Sequence, residues 1–266
     1  PAMGSHGGAT AEGQREVLAS YDITEERLGC EIRAAMDTET VTEDDEGWPV
    51  PVSTVALDAD AVLLANRVKL HTDFRGDVES GLTKMAVVGL GKQRGAEVMH
   101  NEALNRGLGT VIPERAGLIF EKAPVVGGIA LVENANDRAA NIEGVSVEDI
   151  PERESELLDR SRELFPDLPV DRLDLLVVDE IGKDISGTGM DTNTVGRYMF
   201  GDEPEPEVPD VTLIAVRGIT KASHGNGIGM GLADFVHEDL VADLNLEDVY
   251  MNIVTSGEPA RARIPI

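Results

Sequence analysis

Histidines at positions 6, 71 and 100 and a lysine at 84 stand out in a chain that has only five histidines and six lysines. Two imidazoles on opposite sides of a small substrate are the minimum for stereochemical inversion. Each can take a proton from one enantiomer and return it to the other, since an unperturbed imidazole titrates near pH ~6.5. A third imidazole together with a lysine could hold a metal or a cofactor. A single histidine near a strand end is more often a hydrogen-bonded surface residue, so the expectation rests on the set.

The elements that must position this set can be read around it. The run Ala61–Val68, AVLLANRV, is nearly continuous in apolar residues and predicts a buried strand of a parallel sheet. His71 then falls just past the carboxyl end of that strand, the edge at which open α/β sheets bind ligands. Glu79 and Ser80 precede an apolar-rich run, which predicts a helix start with Lys84 in its first turns. Gly89-Leu90-Gly91 should break that helix, and a second one over about 94–105 should carry His100. At the other end, PAMGSHGG reads as the end of a strand and a glycine loop, with a helix opened by Thr10. The backbone N–H groups of Gly7 and Gly8, beside His6 and a helix N-terminus, would form an anion site there.

The rest of the chain alternates in the same way. Asp37–Gly47 reads as an exposed, acidic β-ribbon or loop, Gly107–Pro113 as a turn, and Gly117–Lys122 and Val125–Val132 as strands. A charged amphipathic helix from Val147 is closed by Pro166, which places a boundary near residue 165. Beyond it, Leu173–Val178 reads as a buried strand running into DEIGKDISGTGMD, a glycine-rich loop with Lys183. Residues 202–209 form a Pro/Glu loop and Val211–Val216 the next strand. A helix follows His224 through about Leu240, and Val249–Val254 reads as the last strand. Buried strand, polar or glycine-rich loop and helix recur four times without a repeat period. The fold class is therefore α/β: two α/β domains, 1–165 and 166–266, with mostly parallel sheets.

Fifty acidic residues against twenty-three basic ones give a net charge of −27, which disfavours nucleic acid and anionic membranes as partners. Seventeen of the basic residues are arginines. Lysine depletion on an acidic surface is the pattern of a protein from a high-salt cytoplasm, where salt screens the repulsion between carboxylates. The single cysteine, Cys30, excludes an intrachain disulfide and multi-cysteine metal sites, consistent with a cytoplasmic location. No apolar run approaches the ~20 residues of a membrane span. The chain opens on Pro1 and closes on ARARIPI, and the expectation is that one or both ends of the natural protein lie outside it.

Several familiar chemistries lack their motifs. GLGKQRG does not follow the dinucleotide order, and no phosphate-binding loop, HEXXH pair or nucleophile elbow occurs. By contrast, PAMGSHGGATAEGQ, NRVKLHTDFRGDVESGLTKMAVVGLGKQRGAEVMH and DEIGKDISGTGMD resemble phrases of the nickel-pincer lactate racemase family. The resemblance covers most of the chain, reproduces the order His, His, Lys, His with sixteen residues from Lys84 to His100, and marks a divergent branch. It implies that His6 and His71 are the paired acid/base residues and that His100 is the axial nickel ligand. It further implies that Lys84 tethers the cofactor, a pyridinium bisthiocarboxylate mononucleotide with nickel, that Gly7 and Gly8 help bind it, and that Lys183 lies near the substrate. The implied fold has an interdomain cofactor cleft, and the implied activity is racemisation or epimerisation of a small 2-hydroxy acid. It also implies a missing portion before Pro1. The other reading is a non-catalytic small-anion or nucleotide-binding protein using the loops at Gly7 and Gly187.

Overall fold

The computed structural model of the protein describes residues 1–4, 6–72, 74–199 and 205–256. The chain forms two compact units. The first holds Pro1–His71 and Arg75–Phe165, and the second holds the short Thr72–Phe74 segment and the chain from Pro166 onward. The class is α/β.

The first unit begins with a 3₁₀ turn, His6–Ala9, and helix α1, Ala11–Ser20. Thr10 caps α1 as its sequence predicts, its hydroxyl accepting from Gly13 N–H at 3.0 Å. Among the described residues no strand precedes the turn: residues 1–4 instead lie along a helix described below. A short helix α2, Glu25–Leu28, leads to an antiparallel ribbon of β1, Thr38–Glu43, and β2, Pro49–Ser53, followed by α3, Thr54–Leu57.

Strand β3, Val62–Arg67, then enters a mixed sheet of order β3-β4-β5 with β4, Val125–Glu133, and β5, Ala139–Ser146. β3 pairs with β4 in parallel and β5 pairs with β4 antiparallel. Between β3 and β4 run α4, Gly81–Lys84, a π-helical turn, Met85–Leu90, and the two long helices α5, Lys92–Arg106, and α6, Leu108–Lys122. Helix α7, Ile150–Leu164, closes the unit and packs on β4 and α4. Its buried residues, Ile150, Glu154, Leu157, Leu158 and Ser161, follow the helical period and form one stripe.

Three more readings of this unit are corrected, the first being that Gly107–Pro113 is no turn but the N-cap and opening turns of α6, Pro113 included. Gly117–Lys122 belongs to α6 and is not a strand, because Val111, Ile112, Arg115, Ala116 and Ile119 are buried at helical spacing. The hairpin partner of β4 is therefore β5, whose alternation is too weak to be seen in the sequence. Nor is β3 buried on both faces. It is an edge strand with Leu64 buried and Leu63 two-thirds exposed, since helices cover only one side of the sheet.

The second unit carries an all-parallel sheet of order β6-β7-β8: β6, Arg172–Ile181, β7, Asp210–Ile219, and β8, Phe235–Val236. Helix α8 is Thr192–Val195, preceding β7. Helices α9, Glu238–Ala242, and α10, Leu246–Ser256, follow β8. Ile181, Ile214, Val216, Met230, Leu232, Leu240 and Val249 make the core. β6 is half-buried and not fully buried, with Leu175 and Val177 exposed. The segment from His224 holds a single 3₁₀ turn and strand β8 in place of one helix to Leu240, as its glycines prevent a longer one. Val249–Val254 is helical, because Leu246, Val249, Tyr250 and Ile253 recur at the helical interval. Of the Pro/Glu loop, residues 202–204 lie outside the described residues.

Candidate functional site

The segments carrying His6, His71, Lys84 and His100 all belong to the first unit and meet one helical rod, residues 81–106. At its start, Gly81 has φ +77, and a β-carbon there would overlap the Glu154 carboxylate. The reason for that crowding is a cap brought from α7. Glu154 accepts from the Leu82 N–H, from the Thr83 N–H at 2.9 Å and from the Thr83 hydroxyl. The first orphan donors of α4 are thus satisfied by a carboxylate that sits favourably at a helix N-terminus. Burial nonetheless pushes the Glu154 carboxyl above its ordinary range, the hydrogen bonds from Thr83 and Leu82 opposing the shift. Lys84, half-buried, ends α4.

The rod is not a straight helix. After the π-helical turn, Gly91 keeps helical angles and Lys92 has φ +56, a left-handed conformation uncommon for a residue with a side chain. Lys92 is buried and its Nζ donates to the Pro1 carbonyl. Burial pushes this amine below its ordinary range. The same interrupted stretch receives the segment ahead of His6. A β-carbon on Gly4 would lie 3.0 Å from Val88 O, one on Gly89 would lie 3.0 Å from Ala2 O, and buried Gln14 donates to Met3 O at 3.1 Å. His6 follows on an exposed 3₁₀ turn, and His100 is exposed on α5.

Gly7 and Gly8 both take positive φ, +63 and +64. Gly7 meets Gly13 backbone to backbone, and a β-carbon on either would overlap the other. The Gly7 carbonyl accepts from the Thr10 hydroxyl at 3.0 Å, which ties this glycine loop to the α1 cap.

His71 is half-buried beyond the end of β3. The strand is prolonged by Val68 N–H to Leu131 O, 2.7 Å, and by Ser80 Oγ, which accepts from Lys69 N–H at 2.7 Å and donates to Lys69 O at 2.6 Å. The His71 N–H donates to Glu79 Oε2 at 2.8 Å, and Arg75 Nη1 donates to the His71 carbonyl at 2.6 Å. Glu79 and Ser80 precede the helix start as the sequence predicts, and Ser80 at the N-cap makes no side-chain cap bond there. They turn back and fix the strand end.

In the second unit, Lys183 lies at the carboxyl end of β6 and is exposed, its Nζ donating to Gly187 O at 2.6 Å and Asn252 Oδ1 at 3.1 Å. Its own N–H donates to Ser223 Oγ at 2.7 Å. Asp184 joins this hydroxyl network, and the hydrogen bond from Thr220 holds its carboxyl below the usual range. Near Gly187 the N-terminus of α8 is already met by a carboxylate, Asp191 accepting from Asn193 and Thr194 N–H at 2.9 and 3.2 Å.

Sequence reasoning missed Glu154, Arg75 and Arg162 as partners of this framework. Glu154 is separated from its donors by 71 and 72 residues, and no local pattern points across such an interval. Among the described residues no group of three or more His, Cys, Asp and Glu side chains is placed to hold a metal ion, and no helix is long and apolar enough to cross a membrane. No protein-family model matches the chain, and no curated protein matches it.

Proposed function

We propose that the protein is a cytoplasmic racemase or epimerase of a small 2-hydroxy acid that works with a nickel-pincer nucleotide. The observation that carries this reading is the shared framework. The interrupted helix itself carries Lys84 and His100, its start is capped by Glu154, and the segments bearing His71 and His6 are joined to it through Ser80 and Glu79 and through the close approach of Gly4.

The residues fit such a group in kind. The pincer brings its own sulfur donors, so one protein imidazole, His100, is enough for the nickel, and imidazole suits this metal. Lys84 offers an amine for attachment, and Gly7 and Gly8 offer backbone to its phosphate. When bound, the group supplies a carbon that accepts the C2 hydrogen as hydride and returns it. The chain's own work is proton transfer at the C2 hydroxyl oxygen. His6 takes that proton from one enantiomer and keeps it, His71 donates a proton of its own on the opposite face, and the roles reverse for the other enantiomer. The acidic, arginine-rich surface suits a high-salt cytoplasm.

The test is expression in a host that builds the nucleotide, followed by metal analysis, intact mass and loss of optical rotation with 2-hydroxy acids. Expected are nickel near one per chain, added mass mapping to Lys84, and racemisation abolished by His6→Ala or His71→Ala with nickel retained. His100→Ala should lose the nickel. Folded protein with neither nickel nor racemase activity overturns the reading.

A further inference from the structure

The most completely enclosed carboxylate near the candidate site is Glu79, which has no exposed surface. Four groups converge on it. His71 N–H donates to Oε2 at 2.8 Å, Gly76 N–H to Oε1 at 3.4 Å and Arg162 Nη2 to Oε1 at 2.9 Å, while Arg75 Nη1 stands 3.6 Å from Oε2. Arg75 completes the arrangement from the other side by donating to the His71 carbonyl at 2.6 Å. Both backbone polar groups of His71 are thus gripped by charged side chains of opposite sign, and those side chains are paired with each other. Arg162, reaching over from α7, also donates to Gly76 O at 3.2 Å and anchors the turn.

Burying a carboxylate is costly, and an apolar residue usually stabilises a fold equally well or better. What a satisfied buried ionic network provides is a fixed geometry. Here the geometry fixed is the peptide on either side of one half-buried histidine, which sets the direction of its Cα–Cβ bond. We infer that Glu79, acting with Arg75, is a positioning residue that holds His71 in register for proton transfer. This rests on the reading of His71 as an acid/base residue, but the clamp is measurable without it.

The experiment compares wild type with Glu79→Gln, which keeps the size but loses the charge, and Arg75→Gln, which removes the carbonyl half while leaving Arg162 on Glu79. Amide hydrogen exchange at His71 is followed by NMR alongside steady-state kinetics on the nickel-loaded enzyme. Expected is exchange at His71 at least about tenfold faster in both variants, with α5 amides unchanged, and kcat lowered about 10- to 100-fold with KM within about twofold, as for a misplaced catalytic group. If Glu79→Gln does not fold, Arg75→Gln carries the test alone. Unchanged His71 exchange, or accelerated exchange with wild-type kcat, overturns the proposal. A wild type that racemises nothing fails the functional reading, while the exchange data still decide the clamp.

Discussion

Glu154 and Thr83 are joined twice: one carboxylate oxygen on α7 accepts both the backbone N–H, at 2.9 Å, and the hydroxyl of the same residue on α4. With the bond from Leu82 N–H, this one side chain satisfies three donors at the start of the helix that ends in Lys84. Glu154→Ala leaves all three buried without an acceptor. The expected loss is about 3 kcal/mol or more, read as a lower midpoint in denaturant unfolding.

The pH dependence of that contact has a definite sign. Burial raises the Glu154 carboxyl above its ordinary 4.5, so the folded protein binds this proton more tightly than the unfolded chain. The contribution is fully present below that ordinary value and is lost as pH rises through the folded one. Glu154→Gln has no such proton. Stability of wild type relative to Glu154→Gln should therefore increase as pH is lowered from 7 toward 4.5, and a difference that stays flat would contradict the burial argument.

Glu143 behaves in the opposite way. Hydrogen bonds from Arg153, then Asn141, hold its carboxyl down at about 2 against an ordinary 4.5. Its stabilisation is complete above 4.5 and disappears as pH falls through about 2. Comparing unfolding of Glu143→Gln with wild type should show a deficit at neutral pH, under about 1 kcal/mol for so accessible a pair, which vanishes in strong acid.

Two glycines should respond to alanine in opposite directions. Gly81→Ala meets both a positive φ and the Glu154 carboxylate, and should cost about 2 kcal/mol or more. Gly117 lies in the interior of α6 with nothing within 4 Å of its β-carbon position, so Gly117→Ala should stabilise by about 0.5–1 kcal/mol. Thermal unfolding of the two variants distinguishes them directly.

Arg115 and Glu102 form a buried pair, 2.5 Å apart, with side chains 3% and 1% exposed. Arg115→Met should cost about 2 kcal/mol or more because it removes the buried donor shared by Glu102, the Pro49 carbonyl and Asp44, leaving Glu102 to Arg106. Adding Glu102→Gln should recover part of that loss. Denaturant midpoints of the single and double variants give the coupling.

How much of this could be read in advance differs from element to element. Thr10 as a cap, the α7 stripe, the ribbon after Asp37 and the helix carrying His100 all follow from local periodicity and capping chemistry, which survive into the fold. The segments at Gly117–Lys122 and Val249–Val254 mislead because a short apolar run fits either period, and only the spacing of the residues that become buried separates them. The histidines and Lys84 are visible as residue types. The groups that hold their segments are not, since Arg162 lies 83 residues from Glu79 and acts through folded geometry alone.

The interruption of the helical rod at Met85–Leu90 and Lys92 has an angular consequence. In an unbroken α-helix, sixteen residues would separate Lys84 from His100 by roughly 24 Å along the axis and turn them roughly 160° apart, on opposite sides of a cylinder. A π-helical turn slips the phase, and a left-handed residue bends the axis. The irregular backbone therefore gives Lys84 and His100 a relative phase and axis that a regular helix would not. A sequence change that straightened the rod would re-aim one of them relative to the other without altering either residue.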